Sequence, residues 1–192
     1  MEKTHLANTI RELIDSIDEN GELPLVKRYA LRDLLKQDRW YMLESISAHK
    51  VQNIWERQFP SDRFPTELLR IADSSLIEAN DAGLLGQMLS ESKAALADKL
   101  LLGQEYFCAV YAGFASWAAA RNVVYGSPII SDASSEIDID PDEWDASFYA
   151  SLAWSGGAVW EQVADSDKRK EFWIWFINDA LPQALSYAGS LN

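Results

Sequence analysis

The chain is poor in the residues on which most enzyme chemistry depends. It has one cysteine, Cys108, and two histidines, His5 and His49. A single thiol excludes an internal disulfide and fits a reducing compartment. His5 falls in the first turn of the first predicted helix, and His49 has no second metal ligand four residues on. Each reads as a surface or half-buried side chain. Cys108 falls within an alanine-rich helical segment, where a thiol acts as a small hydrophobe. A Cys108–His49 dyad stays open, although a helix interior is a poor place to expose a thiolate. There is no glycine-rich phosphate loop, and Ser155-Gly156-Gly157 lacks the strand–turn–helix setting of a nucleophile elbow. The uncharged run between Glu105 and Arg121, matched in length only by that between Asp145 and Glu161, is too short for a comfortable membrane span. The amphipathic N-terminal segment is unlike a signal peptide. The expectation is a cytoplasmic protein with no cofactor and no metal.

Lysine and arginine are absent between Arg121 and Lys168. The carboxylates of that interval therefore have no basic neighbour in sequence. Over the whole chain the formal charge is −13, which disfavours direct contact with nucleic acid or an anionic membrane. It favours a basic protein partner, or it serves solubility alone. With 192 residues, 48% of them apolar, the chain is long enough for one domain with a substantial core, and a second is unlikely. Eight tryptophans mean that much of the buried area is aromatic.

Apolar residues recur at helical period almost throughout. Leu6, Ile10, Leu13, Ile14 and Ile17 predict a first helix, stopped by Asn20-Gly21. Pro24 suits the first turn of a second, with Leu25, Leu31, Leu34 and Leu35 as its apolar positions. Further helices are predicted from Asp38 to about Phe59, from Pro65 through Leu76, and from about Asp81 to Leu101. The segment from about 104 to 125 is apolar nearly all round, which places it in the middle of a bundle. Arg121 within it needs a partner, and a carboxylate of the following loop is a candidate. Asp140 as N-cap, Pro141 at the first position and Glu143 three residues after the cap predict the next helix start, and Gly156-Gly157 its end. The last helix starts near Asp165-Ser166. Phe172/Phe176 and Trp173/Ile177 mark two adjoining buried stripes, and Pro182 should kink or finish it. No strand is predicted. The expected fold is all-α, a single-domain bundle of about eight helices spanning 1–192, with an acidic loop at 127–140.

The functional candidates cluster around that loop. Asp138-x-Asp140-x-Asp142 opens like a calcium loop but continues wrongly, with Glu143 where the turn needs Gly and Tyr149 where a bidentate Glu is required. Capping alone accounts for Asp140, Asp142 and Glu143. Asp132, Glu136 and Asp138 precede the helix and are either solvated or in contact with a partner. Trp154 and Trp160 bracket the glycines and are the tryptophans expected to be partly exposed. Exposed indoles beside carboxylates can anchor a protein interface. The expected partner-binding set is Asp132, Glu136, Asp138, Asp140, Asp142, Asp145, Trp154, Trp160 and Glu161.

Four segments in order carry a resemblance. They are Leu23-Pro24-Leu25-x-x-Arg28-x-Ala30-Leu31; Val51-x-x-Ile54-Trp55-Glu56-x-x-Phe59-Pro60-x-Asp62 with Pro65-x-x-Leu68-Leu69; Trp144-Asp145-x-x-Phe148-Tyr149-Ala150-Ser151-Leu152-Ala153 with Gly156-Gly157-x-x-Trp160; and Arg169-x-Glu171-Phe172-Trp173-x-Trp175 ending in Ala180-Leu181-Pro182. Together, over about 23–184, they resemble the all-helical family of bacterial polymorphic toxin systems labelled immunity protein five. The resemblance implies a non-enzymatic, cytoplasmic inhibitor that binds a cognate toxin domain, and it carries over no catalytic residues. Two alternatives stand beside it. One is a carboxylate- or metal-dependent enzyme using the acidic 132–145 region; the other is a scaffold bundle that forms a homodimer.

Overall fold

In the computed structural model, residues 3–77, 82–128, 135–161 and 163–187 are described. Helices α1 (Lys3–Asp15), α2 (Leu25–Leu34), α3 (Gln37–Gln58), α4 (Phe64–Ile77), α5 (Ala82–Leu100), α6 (Phe107–Tyr125), α7 (Ala146–Ser155), α8 (Ser166–Trp175) and α9 (Leu181–Ser186) follow in order. A π-helical stretch, Phe176–Ala180, joins α8 to α9. The protein is all-α, with no strand among the described residues. None of their helices is long and apolar enough to cross a membrane.

Helix α6 is the axis of the bundle, as its apolar circumference predicts. It packs against α3, α4, α5 and α7, and Ala109 through Asn122 are buried except Tyr111. Its small residues set how closely neighbours approach. A Cβ on Gly113 would lie 2.5 Å from a Leu96 methyl and 2.8 Å from the Trp55 ring, so only glycine fits there. Trp55, Trp173, Phe148, Phe172 and Phe176 are fully buried. Each contributes about 1.5–3 kcal/mol relative to exposure. Both stripes of the last helix are buried as the spacing implies, with Phe172, Trp173, Phe176 and Ile177 all at 0% exposure.

Two local expectations are corrected. Pro182 does not finish its helix. Proline removes a hydrogen bond and crowds the carbonyl one turn back; the π-helical stretch Phe176–Ala180 occupies that preceding turn, and helical residues continue to Ser186. The helix expected to start at Asp140 starts five residues later. Asp140 caps only a 3₁₀ turn, Pro141–Glu143, and Trp144 leaves it with an extended backbone (ψ 143°). The carbonyls that a continuous helix would use are claimed from outside. Tyr149 Oη donates to Pro141 O (2.7 Å), and Arg121 donates to Asp142 O and Trp144 O. Asp145 is the true cap of α7, its Oδ1 accepting from Phe148 N (2.6 Å). Gly156, at φ +89°, closes α7 in the left-handed conformation.

The partner of Arg121 also differs from expectation. It is satisfied by those two carbonyls and by Asn122 Oδ1 (3.0 Å), with Trp117 beneath its guanidinium, rather than by a loop carboxylate. Burial lowers its pKa from the ordinary arginine value, and the guanidinium remains a pure donor.

Candidate functional site

The acidic segment divides into an outer and an inner half, and Arg28 makes the division. This arginine projects from α2 and is 1% exposed. Its guanidinium meets Glu136 Oε1 at 2.5 Å, Asp145 Oδ2 at 3.3 Å and Glu22 Oε1 at 3.4 Å, and donates to Leu23 O at 3.0 Å. The rings of Phe148 and Trp173 lie 5.2 and 5.1 Å from it. Arg169, also buried, adds Glu22 Oε2 (3.4 Å), Asn20 O (3.1 Å) and Gly157 O (2.7 Å). A fourth carboxylate, Glu44, accepts from Ala146 N. Burial pushes Glu22 and Glu44 up to about 8, for Glu22 against the pull of Arg28 and for Glu44 with help from nearby Asp145. Burial thus favours the neutral form of both, while Glu136 and Asp145 make direct ion-pair contacts with Arg28.

Glu136 and Asp145, expected on a partner surface, are therefore buried against Arg28 instead. Asp142 pairs with Lys93 of α5, and Asp140 accepts from Asp142 N. Asp138, Asp140 and Glu143 are exposed. The three aspartates of the apparent calcium loop do not converge, and among the described residues no group of three His, Cys, Asp or Glu is placed to hold a metal. Asp132 lies outside the described residues.

The two candidate tryptophans part company. Trp154 is half-buried under Lys50 Nζ (4.8 Å), which also lies over Trp175 (4.6 Å). Trp160 is 44% exposed and rests on Trp144 (6.1 Å) and Phe148 (6.3 Å). Its loop is tied from below. Glu161 accepts from Ala158 N (2.8 Å) and Tyr111 Oη (3.2 Å), and Asp165 N donates to Ser155 O (2.8 Å). Glu161 is thus a loop fastener. Trp144 Nε1 donates to Glu136 O (3.0 Å), which brings exposed Ile137 alongside. Ile137, Val159, Trp160 and Val163 are all exposed apolar side chains, and exposed Asp138, Asp140 and Glu143 lie on the same segment as Ile137. Of these, Ile137, Val159 and Val163 were not anticipated from sequence, where an isolated exposed aliphatic carries no signal.

A family model described as immunity protein Imm5 matches residues 8–183. The chain belongs to the Imm5 immunity protein family. No curated protein matches it. In this family member three of the four resembling segments meet at one residue, since Arg28 of the first contacts Asp145 and Phe148 of the third and Trp173 of the last.

The nucleophilic alternative finds no geometry. Both ring nitrogens of His49 are engaged, by Asp73 Oδ2 (2.9 Å) and Gln52 Oε1 (3.1 Å), and burial pushes the Cys108 thiol up. Asp73 raises the His49 pKa above its ordinary value. Charged His49 thus favours the fold most below the unfolded pKa of 6.5, and that contribution is lost as pH rises through the folded value. His49→Gln is expected to cost up to about 1 kcal/mol at pH 5.5, as for exposed ion pairs. The cost should shrink at pH 8.5, read as the shift in urea midpoint at the two pH values.

Proposed function

We propose that this protein binds a cognate toxin domain and neutralises it without catalysis, through the surface centred on Trp160. The observation that carries the reading is the exposed indole of Trp160 resting on the Trp144 and Phe148 rings, with exposed Val159 beside it in sequence and Ile137 and Val163 also exposed. An anchor whose rotamer is already held loses little entropy on binding. Asp138, Asp140 and Glu143 fit a basic partner, which they would steer by raising the association rate more than the affinity. Membership of an immunity family supports a toxin as that partner, and a cytoplasmic place of action follows from protecting the producing cell.

The test is binding to, and rescue of cells from, the toxin domain encoded beside this chain. Trp160→Ala is expected to weaken affinity at least about 30-fold, a loss of about 2 kcal/mol typical of an interface hot spot, with the thermal midpoint unchanged. Asp138→Asn with Asp140→Asn and Glu143→Gln is expected to slow association at low salt, and the difference should vanish at high salt. Unchanged affinity of a folded Trp160→Ala variant would remove this surface from the reading.

A further inference from the structure

A groove between α2, α3 and the end of α6 contains buried polar groups that have no partner among the described residues. Trp40 Nε1, Asn122 Nδ2 and Ser127 Oγ are buried with no hydrogen-bond partner among the described residues. Trp40 is 2% exposed and Asn122 is 0% exposed. Leaving such groups unpaired costs about 1–3 kcal/mol each. All three line one recess of about 10 Å³, which Arg32 and Ser127 share with an outer groove of about 350 Å³ walled by Gln37 and Tyr41 and also lined by Trp40. The amide of Asn122 is oriented by its neighbour. Arg121 can only donate, and it faces Asn122 Oδ1 at 3.0 Å, so Nδ2 is the end left for the recess.

These features define the chemistry of an occupant. An indole N–H donates only, and the turned amide presents N–H as well, so a cation is repelled. An anion would face Glu143 and Asp145 in the recess lining and Asp33 at the groove. Arg32, the cation at the rim among the described residues, already donates to Pro128 O (2.9 Å), approaches Asp33 Oδ1 (3.4 Å) and stacks on Tyr29. A neutral acceptor remains. The recess is about the size of a single oxygen atom or one water, whereas the groove holds the group that carries it.

We propose that this groove is a binding site for a neutral amide carbonyl, whose oxygen enters the recess and accepts from Trp40 Nε1 and Asn122 Nδ2. The carrier is either a peptide bond or an Asn/Gln side chain, which share that oxygen. The site does not rest on the Trp160 surface, and either can fail without the other.

The test is a titration of ¹⁵N-labelled protein with N-methylacetamide (a peptide mimic), acetamide (a side-chain mimic), acetate and methylammonium. A saturable shift of the Trp40 indole N–H with one or both amides is expected, and the stronger ligand names the carrier. The indoles of Trp55 and Trp117, already donating to Asp62 O and Leu89 O, should stay in place. In Asn122→Asp, with its fold checked by the remaining cross-peaks, amide affinity should drop at least about tenfold. No saturable shift, an equal response to acetate, or a long-lived water still at the Trp40 indole under saturating amide would overturn the proposal.

Discussion

Replacing Arg28 with methionine is expected to destabilise the protein by about 3–5 kcal/mol, the usual cost of removing one partner from a buried ion cluster. Methionine fills the channel occupied by the arginine stem but leaves Glu136 and Asp145 buried without their countercharge. Against a total stability of about 5–15 kcal/mol for a domain, that is about a fifth of the total or more. Arg28→Lys should recover only part of the loss, since one ammonium cannot present the separate Nε, Nη1 and Nη2 contacts made by the guanidinium. The damage should be local as well as global. Asp145 caps α7, and Glu136 O accepts from Trp144, the ring under Trp160. The check is urea unfolding followed by far-UV ellipticity and Trp fluorescence. A loss under 1 kcal/mol would show that the cluster does not hold the loop to the bundle.

The position of Arg28 explains how much was legible in the sequence. Leu25, Arg28 and Leu31 are three apart, which puts the arginine on the buried stripe of α2; Arg169, Phe172 and Phe176 repeat the pattern in α8. A charge inside an apolar stripe is the signal of an internal ion pair. Its partners are not legible, because Asp145 is 117 residues away and no local spacing connects them. Helix existence follows from period, which is why α1 to α6 lie near their expected bounds. The start of α7 does not, since tertiary donors such as Tyr149 Oη and Arg121 take carbonyls that local rules assign to the helix. The candidate surface shows the same division. Trp160 was reachable as an aromatic beside a glycine turn, whereas Glu136 and Asp145 look like every other acid in an acidic loop until Arg28 is placed among them.

Glu44→Gln is expected to stabilise the protein, by an amount that depends on pH. Glu44 is fully buried, with one oxygen accepting from Ala146 N and Ser147 close by. Burial, with Asp145 nearby, pushes it from 4.5 up to about 8. Below pH 4.5 the acid is protonated folded and unfolded alike, so it adds no pH dependence. Between about pH 4.5 and 8 the unfolded chain releases the proton and the folded chain keeps it. Stability therefore falls by about 1.4 kcal/mol per pH unit across that window, then levels off once the folded group ionises. Glutamine copies the shape of the protonated acid and cannot ionise, so the variant has no such slope. Near pH 4.5 the two proteins should differ little, by less than about 1 kcal/mol, because the amide brings one extra N–H into a buried place. By pH 8 the variant should be ahead by about 3–4 kcal/mol. Comparing the two proteins cancels every other titrating group, so the difference isolates this one carboxyl. A constant gap from pH 5 to 8.5 would mean that Glu44 titrates in the fold as it does in the unfolded chain.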